Sequence, residues 1–349
     1  MVNQVEQSQV ENNVGKSQSF SIAQNMNILD ILSNKMYEQP IEAIVREVYS
    51  NAIDANIEGK TSGKIDVVLP TEQNPVFRVT DHGIGMTDEK VRKVYCEYGN
   101  STKGDDNSQI GGFGIGCKTP FAYTDQFTVT TSKNGKKNSY VAFKGETGYE
   151  LVPASSSDCN ESGTTVEVPV KPEDMEDFIT AAVKVFFFAK EFPNMDEVSL
   201  GAFKTFVRRC LFLENEDEAM KVYMIERVRM QNGSSYFKKL QFGNRLLAEI
   251  GGVAYGIDSN VMKNDFFSGT IVMHIPVGEV SVQASREKLN YNKDTIAKLK
   301  KYFLESLRNF EKEADEVLED KSLSYIEKHN FCKLINIGRY EDAVDFCYR

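Results

Sequence analysis

Four glycines lie within six residues, at positions 111, 112, 114 and 116 of the stretch QIGGFGIGCK, and Lys118 follows them. Glycine lets consecutive backbone N–H groups turn toward an anion without a Cβ in the way, so this spacing is typical of a phosphate cradle. An ordinary flexible loop has the same composition. The glycines alone do not decide between these two interpretations, and the neighbouring motifs must do so.

A predicted helix over residues 40–60 carries three polar side chains at i, i+4 and i+7, namely Glu47, Asn51 and Asp54. This spacing places them on one side of the helix, beside a stripe of apolar residues. Pro40 suits the first turn, and Gly59 is a C-terminal stop signal. A solvated helix face would look the same, so the significance of the three residues depends on the motifs that come after them in the chain.

Two further motifs stand at the ends of predicted strands, D-H-G-I-G at 81–85 and G-T-T at 163–165. The segments 64–70 and 76–86 predict a strand pair, and the second ends in Asp81, His82, Gly83, Ile84 and Gly85. Thr87 is expected to cap a helix over 87–95. Strands are predicted at 126–132 and 138–144 around an Asn-Gly turn, and a closing strand is predicted at 162–171, which includes Thr164.

The order of these motifs resembles the ATP-binding domain shared by gyrase B, Hsp90, sensor histidine kinases and MutL, called GHKL. The likeness covers roughly residues 20–172 and implies an α+β protein whose ATP-binding domain is an α/β sandwich of the Bergerat type, which holds ATP with Mg²⁺ between helices and sheet. The residues that it assigns to nucleotide binding are Asn51, Asp54, Asp81, Gly83, Gly85, Met86, Gly112, Phe113, Gly114, Ile115, Gly116, Lys118 and Thr164.

The resemblance also implies individual roles. Glu47 would orient and deprotonate the attacking water, and Asn51 would supply a hard amide oxygen to Mg²⁺. Asp81 would accept a hydrogen bond from the adenine amino group, with Thr164 and a water completing recognition of the base. Asp54 would shape the pocket wall, or bond nearby backbone instead. The alternative for Glu47 is a surface carboxylate without a catalytic role.

The downstream segment GEVSVQASREKLNYNKDT resembles a segment of the Hsp90 middle domain in which an arginine within S-R-E-x-L reaches the γ-phosphate of ATP. This likeness makes Arg286 a second catalytic candidate, because a guanidinium stays charged and donates in a fork to phosphate oxygens. Pairing of Arg286 with a carboxylate at the surface between domains is equally compatible with the sequence.

The bacteriophage rIIA family is a third resemblance, carried by residues 15–23, 44–55 and 110–129. The residues on both sides of the glycines match as well, and nucleotide chemistry does not require them. The likeness therefore indicates relatedness. Proteins of that family are linked to control of lysis and to protection against host exclusion systems, which implies a host cytoplasm as the location.

Composition narrows the classes of function. The 349 residues carry a net charge of −10, which disfavours broad attraction to nucleic acid, and 41% of them are hydrophobic, which is enough for a packed core. Apolar runs long enough for a membrane span or a signal peptide are absent from the sequence, so a cytoplasmic location is expected. Six scattered cysteines and three histidines form no zinc-binding spacing and predict free thiols.

The second half of the chain predicts a separate, smaller α/β domain of the middle or transducer type. A helix is predicted at 173–192, strands at 221–230, 236–242, 245–250 and 270–275, and an amphipathic helix at 293–320. The expected organisation is a mobile N-terminal arm (1–19), an ATP-binding domain (20–195), a middle domain (196–320) and a C-terminal tail (321–349).

These predictions favour a slow ATPase that acts as a molecular switch, in which nucleotide binding closes a lid and drives homodimerisation, with a protein as the further partner. One alternative is a nucleotide-sensing interaction module without catalysis. Another is a DNA-clamping ATPase of the gyrase B or MutL type, for which a basic surface would come from Arg208, Arg209, Arg227, Arg229, Lys238, Lys239 and Arg245.

Overall fold

A computed structural model describes residues 36–97, 116–146, 148–233, 236–237, 246–262, 270–283, 285–326 and 328. Part of the predicted phosphate cradle, Gly112 to Ile115, lies outside these residues, as does the predicted N-terminal arm. Within the described part of the chain, every helix is too short or too polar to cross a membrane.

The larger of two sheets has seven strands in the order β5-β4-β3-β6-β2-β1-β7. All neighbours are antiparallel except β1 and β7, which are parallel. The strands are β1 (Asp66–Val68), β2 (Val76–Thr80), β3 (Gln126–Lys133), β4 (Lys136–Lys144), β5 (Tyr149–Asp158), β6 (Gly163–Pro169) and β7 (Asn194–Met195).

The hairpin between β3 and β4 turns at Asn134 and Gly135, as predicted. Both residues have positive φ angles, 54° and 79°, which a two-residue hairpin of type I′ requires. The structure differs from the prediction in three respects. The strand 162–171 does not close the sheet, since β6 lies between β3 and β2, and neither of the edge strands β5 and β7 was predicted.

Helices pack on this sheet or on one another. They are α1 (Pro40–Gly59), α2 (Asp88–Cys96), α3 (Met175–Phe188), α4 (Glu197–Leu211) and α5 (Glu216–Gln231), with a 3-10 helix over Gly116–Ala122. The predicted cap of α2 is confirmed, because the Thr87 side chain accepts a hydrogen bond from the Lys90 N–H. The predicted end of α1 at Gly59 is also confirmed, and the left-handed residue that follows it is Lys60.

The prediction of a strand over 221–230 was wrong, because this segment lies inside α5. Asn215 caps α5, and three acidic residues fill its first turn, where they suit the helix dipole. Its buried residues are spaced at helical intervals: Ala219, Tyr223, Arg227 and Met230. The β-branched and aromatic residues of this segment lie in a helix, and the buried stripe of that helix includes the charged side chain of Arg227.

The second sheet has four strands in the order β10-β9-β11-β8, and a long helix packs on it. Its elements are β8 (Tyr236–Phe237), β9 (Leu246–Ile250), β10 (Val253–Gly256), β11 (Thr270–His274) and α6 (Lys293–Glu319). The strand predictions at 245–250 and 270–275 and the helix prediction at 293–320 are confirmed. The apolar face of α6, with Leu299, Phe303, Leu307 and Phe310, covers this sheet.

The buried apolar residues form two clusters. The larger joins α1, the seven-stranded sheet and the helices α3, α4 and α5, and the smaller joins the four-stranded sheet to α6. The expected division at residue 195 stays a prediction.

Arg227 joins α5 to the C-terminal end of α3. It is 5% exposed, its Nε donates to the Phe186 carbonyl at 3.0 Å, and its Nη2 donates to the Ala189 carbonyl. The last carbonyls of a helix have no partner within the helix, so this guanidinium supplies bonds that α3 cannot make for itself.

We expect Arg227→Met to lower the free energy of unfolding by about 2 kcal/mol, because two buried carbonyl groups lose a charged donor. Urea denaturation measures the change. The control is Arg229→Met, which removes a half-exposed guanidinium paired with Glu226 and Glu313 and should cost less than about 1 kcal/mol. Equal losses in the two variants would contradict the role given to Arg227.

Candidate functional site

Helix α1 carries the predicted catalytic face, and its environment changes along its length. Glu47 is buried, with 3% of its surface exposed, whereas Asn51, one turn later, is exposed and Asp54 is half-buried. The buried residues of α1 face the sheet and α3, so the helix presents its polar residues at the edge of the core. The structure therefore confirms the helix that carries the three residues and separates their environments.

The Glu47 carboxylate lies between two guanidinium groups. Arg286 Nη1 donates to its Oε2 at 2.9 Å, and Arg46 Nε lies 3.3 Å from its Oε1. Both arginines are buried, with 8% and 5% of their surfaces exposed, so these ion pairs are shielded from solvent. Arg46 also donates to the Ser285 carbonyl at 3.1 Å, which ties the arginine before Glu47 to the residue before Arg286.

Arg286 retains an unused donor. Its buried Nη2 has no hydrogen-bond partner of good geometry among the described residues, while the Tyr255 side chain hydrogen-bonds the guanidinium and Asp54 lies close enough to attract it. Burial lowers the pKa of Arg286, but the Glu47 carboxylate opposes this effect and the net pKa shift is upward. A buried charged donor without a partner costs free energy, so an acceptor supplied by a ligand fits this position.

The glycine segment reaches the same carboxylate at its last residue. A Cβ on Gly116 would lie 2.5 Å from Glu47 Oε2, so only glycine fits here without a shift of the carboxylate. Thr119 in the same 3-10 helix accepts or donates a hydrogen bond with Tyr37 at 3.3 Å. Residues 116–119 therefore lie against the start of α1, beside Glu47.

Lys118 points away from solvent. It is 1% exposed, and its Nζ donates to the Val94 carbonyl at 2.7 Å, near the end of α2. Cys117 Sγ donates to the same carbonyl at 3.3 Å. The ammonium thus bonds the end of α2 with one of its three N–H donors, and its contact with a phosphate stays a prediction.

The predicted base-binding residues meet near the opposite end of α1. Asp81 is 5% exposed, and its Oδ1 accepts the N–H groups of Gly83 at 2.9 Å and Thr164 at 3.2 Å. The Asp81 N–H in turn donates to the Thr164 carbonyl at 2.9 Å. These bonds hold the end of β2 beside the start of β6, so Asp81 and Thr164 share one site.

Near this end of α1, neighbouring backbone leaves no room for a side chain at Gly83 and Gly85. A Cβ on Gly83 would collide with the Ala55 carbonyl of α1, and a Cβ on Gly85, whose φ is 59°, would collide with the Ser132 carbonyl of β3. Next to Gly85, the Met86 N–H donates to Thr131 at 2.8 Å. The resemblance assigned these glycines to nucleotide binding, and the structure shows that they let backbone pack against backbone.

Burial raises the pKa of Asp81 to about 6, and the hydrogen bonds from Gly83 and Thr164 oppose that rise. Perturbed carboxylates cluster at functional sites, although structural networks perturb them too. Asp81 lies beside Thr164 at the end of β2, and its role in base recognition stays a prediction.

Several residues of the site escaped prediction from the sequence. Arg46 and Asn56 both lie inside the predicted helix, and neither belongs to a motif that would have marked it as a site residue. Asn56 accepts the His82 N–H at 3.0 Å and donates to the Gly63 carbonyl at 2.7 Å, which fastens α1 to the segment after β2. Glu287 and Lys288 stand next to Arg286 in the sequence, but their partners lie about 250 residues away.

The arginines proposed for a DNA-binding surface are engaged within the protein. Arg227 is buried, Arg209 pairs with Glu176, and Arg229 pairs with Glu226 and Glu313. Arg208 lies 3.9 Å from Glu216. Lys238, Lys239 and Arg245 lie outside the described residues. The described arginines thus form no free basic surface.

Comparison with known proteins shows what the part of the chain that carries α1 and Asp81 is similar to, whereas Thr164 and Arg286 lie beyond the family match. Residues 37–150 match the family described as histidine kinase-, DNA gyrase B- and HSP90-like ATPases. The chain is 28% identical over 173 residues to the chaperone protein HtpG of Vesicomyosocius okutanii and 31% identical over 180 residues to that of Oceanobacillus iheyensis. It is also 26% identical over 194 residues to an endoplasmin homolog of Dictyostelium discoideum.

These matches have a limited extent. They cover 43%, 44% and 48% of this chain, and 28%, 28% and 25% of the respective relatives. The chain therefore contains a GHKL-type ATPase domain related to those of the HtpG and Hsp90 chaperones. The family match includes α1, Asp81 and the glycine segment, and it ends before Arg286.

We expect Asp81 to make the stability of the fold depend on pH. Its pKa is about 6 in the folded chain against 3.8 in the reference state, so the unfolded chain loses this proton first as pH rises. The contribution is fully present below pH 3.8 and is lost by the time the pH has passed through 6. The free energy of unfolding should therefore fall by about 3 kcal/mol across this window relative to Asp81→Asn.

Urea denaturation at a series of pH values, on the wild type and Asp81→Asn, measures this difference. Asn keeps the carbonyl oxygen that accepts both N–H groups and does not titrate. Asp158→Asn controls for the loss of a negative charge at an exposed ion pair with Lys136. Parallel stability profiles for the wild type and Asp81→Asn would contradict the raised pKa.

Proposed function

We propose that this chain binds ATP with Mg²⁺ and hydrolyses it slowly, with Glu47 as the general base and Arg286 as the arginine that contacts the γ-phosphate. The observation that carries the proposal is the buried junction of Glu47, Arg286 and Gly116, in which Arg286 retains a donor without a partner among the described residues. A terminal phosphate supplies acceptors of the required charge for that donor.

The base end of the proposed site is Asp81 with Thr164. A carboxylate accepts from the adenine amino group, and the Thr164 hydroxyl is able to accept or donate to a bridging water. Gly83 abuts α1 at Ala55, eight residues after Glu47, which is roughly 12 Å along the helix axis at the standard rise. The two ends of the proposed site are thus held apart by one rigid helix, which suits an elongated ligand with a base at one end and phosphates at the other.

Asn51 lies between these ends and is exposed, so its amide oxygen is accessible to a cation. Mg²⁺ prefers oxygen ligands and usually retains waters, so a single protein ligand together with phosphate oxygens is a common arrangement. When bound, the ion would neutralise phosphate charge during transfer. Asp54 and the backbone N–H of Gly116 would line the same passage, with Gly112 to Ile115 completing the cradle.

The proposed slow turnover follows from the ion pairs of Glu47. A general base must reach the proton that it removes, and both oxygens of this carboxylate are in contact with arginines. Arg286 would have to exchange at least part of its contact with Glu47 for a phosphate before Glu47 receives a water. The pairing with a carboxylate and the contact with a phosphate, which the sequence left as alternatives, are in this proposal two states of one residue.

The proposed biological role is a nucleotide-dependent switch that dimerises and acts on a protein partner. Relatives named as chaperones support a protein partner, and the GHKL and Hsp90 families often dimerise. A more specific role in phage lysis control or in protection against host exclusion systems rests on the rIIA likeness alone. The engaged arginines and the net charge of −10 do not favour a DNA clamp.

A nucleotide-sensing module without catalysis is the second candidate, and the double pairing of Glu47 favours it. A carboxylate held by Arg46 and Arg286 has a structural role whether or not it also acts as a base. Measurements of binding and turnover on the same variants separate the two candidates.

We expect Glu47→Gln to bind ATP as the wild type does and to lose turnover by a factor of about 10² to 10⁴, the usual contribution of a general base. Glutamine keeps the shape and one carbonyl oxygen, so one of the two arginines that contact Glu47 retains its acceptor. Calorimetry with Mg²⁺ and ATP measures binding, and phosphate release measures turnover. Glu42→Gln removes another carboxylate of α1, paired with Lys184, and should change neither quantity.

An unchanged rate in Glu47→Gln, above the rate of a protein-free blank, would exclude Glu47 as the base. Binding of ATP without measurable turnover in the wild type would favour the sensing module. No binding at all would show that the glycines form an ordinary loop.

We expect a non-hydrolysable ATP analogue to convert the chain from monomer to dimer if the switch operates as proposed. Size-exclusion chromatography with light scattering, with and without the analogue and Mg²⁺, measures the mass. Asp81→Ala, which removes the carboxylate that would read adenine, should stay monomeric at the same analogue concentration. Binding without a change in mass would contradict nucleotide-dependent dimerisation while leaving the ATP site intact.

A further inference from the structure

Helix α1 begins without a cap from its own side chains. Its N-cap residue is Gln39, whose side chain makes no capping bond, and Pro40 follows it. The backbone N–H groups of Glu38 and Gln39 instead donate to Glu287, to Oε2 and Oε1 respectively, each at 2.8 Å. A carboxylate from almost 250 residues downstream therefore occupies the N-terminal end of this helix, where the helix dipole favours negative charge.

Glu287 lies in a short loop that is closed on itself. Val282 and Leu289 form an antiparallel bridge, the Gln283 N–H donates to the Lys288 carbonyl, and the Arg286 N–H donates to the Gln283 carbonyl. Arg286 has a φ angle of 56°, in the left-handed region that non-glycine residues rarely adopt. Such a conformation persists where surrounding contacts hold it.

Neighbouring residues of this loop contact α1 and the two residues that precede it. Arg286 reaches the Glu47 carboxylate, and Glu287 reaches the N–H groups at the start of the helix, eight or nine residues earlier. That distance is roughly 12 Å along the axis at the standard helical rise. Lys288 adds an exposed ion pair with Glu38. The loop is therefore fixed to α1 at two separated points, and its orientation relative to Glu47 is defined by both.

We propose that Glu287 is a positioning residue for the reaction, which holds Arg286 at Glu47 by binding the N–H groups of Glu38 and Gln39 just before α1, a contact called the cap below. This inference rests on the proposed function, because it gives Arg286 a role at the nucleotide. Because Glu287 and Arg286 are adjacent in one loop, the loop places Arg286 at Glu47 and binds the start of the catalytic helix at the same time. Withdrawal of the loop would remove both the arginine and the cap from the site.

The direct test of the cap is amide hydrogen exchange at Glu38 and Gln39, measured by NMR on the full chain without nucleotide. In Glu287→Ala we expect exchange at both amides to be faster by at least about tenfold, since each N–H loses a charged acceptor. Glu287→Gln keeps one carbonyl oxygen as acceptor and should protect one amide only. Lys288→Ala removes the exposed pair with Glu38 and leaves the carboxylate, so both amides should stay protected.

The functional test is the split between binding and turnover. Glu287→Ala should bind ATP with the affinity of the wild type and show a turnover number lower by about tenfold or more, and Lys288→Ala should match the wild type in both. Protected amides at residues 38 and 39 in Glu287→Ala would overturn the cap. Faster exchange with unchanged turnover would overturn the positioning role.

A double-mutant cycle keeps the proposal separate from the ATPase itself. If Glu287 positions Arg286, the loss in melting temperature caused by Arg286→Met should be smaller in the Glu287→Ala background than in the wild type, because the Arg286–Glu47 pair is already weakened there. Additive losses would overturn the positioning role even in a chain without turnover. If the two losses are coupled in a chain without turnover, the contact between the loop and the helix is supported and only the proposed hydrolysis is excluded.

Discussion

The buried pairing of Glu47 with Arg286 is the interaction on which the rest of the site depends. Removing two charged groups from water is costly, and a pair of this kind persists only where its geometry is good and further hydrogen bonds support it. That support comes from Arg46, which bonds both Glu47 and the Ser285 carbonyl. In this network, Nη2 of Arg286 is a donor that has no hydrogen-bond acceptor among the described residues.

Helix α1 converts this local network into an extended site. The same helix meets the loop around Arg286 near its start, the last glycine of the phosphate motif at Glu47, and the segment that carries Asp81 near its end. Its apolar face packs in the larger core cluster, which keeps these three contacts in a fixed spatial relation. Of these three contacts, the loop around Arg286 is the one contributed from farthest along the chain.

Features encoded by local patterns could be predicted, and features made by distant partners could not. The period of the apolar residues with Pro40 and Gly59 predicted α1, and the Asn-Gly pair predicted the β3–β4 turn. The cap by Glu287 could not be predicted, because the groups that donate to it are backbone N–H groups, which nearly every residue possesses. The wrong strand over 221–230 has a related cause: the buried stripe of α5 includes Arg227, whose burial makes sense only beside the carbonyls that end α3.

The edge strand β5 has a consequence for solubility. It is ten residues long and lies at the margin of the seven-stranded sheet, with most of its residues exposed. Such a margin offers unpaired backbone groups to any passing strand and invites intermolecular sheet growth. Pro153 removes one N–H from this strand. The register of β5 against β4 also shifts there, because Tyr140 pairs with Pro153 and Ser139 with Ser155, and such an irregularity bends the strand. These two features break the margin into short pieces, so a foreign strand finds no long continuous template on β5.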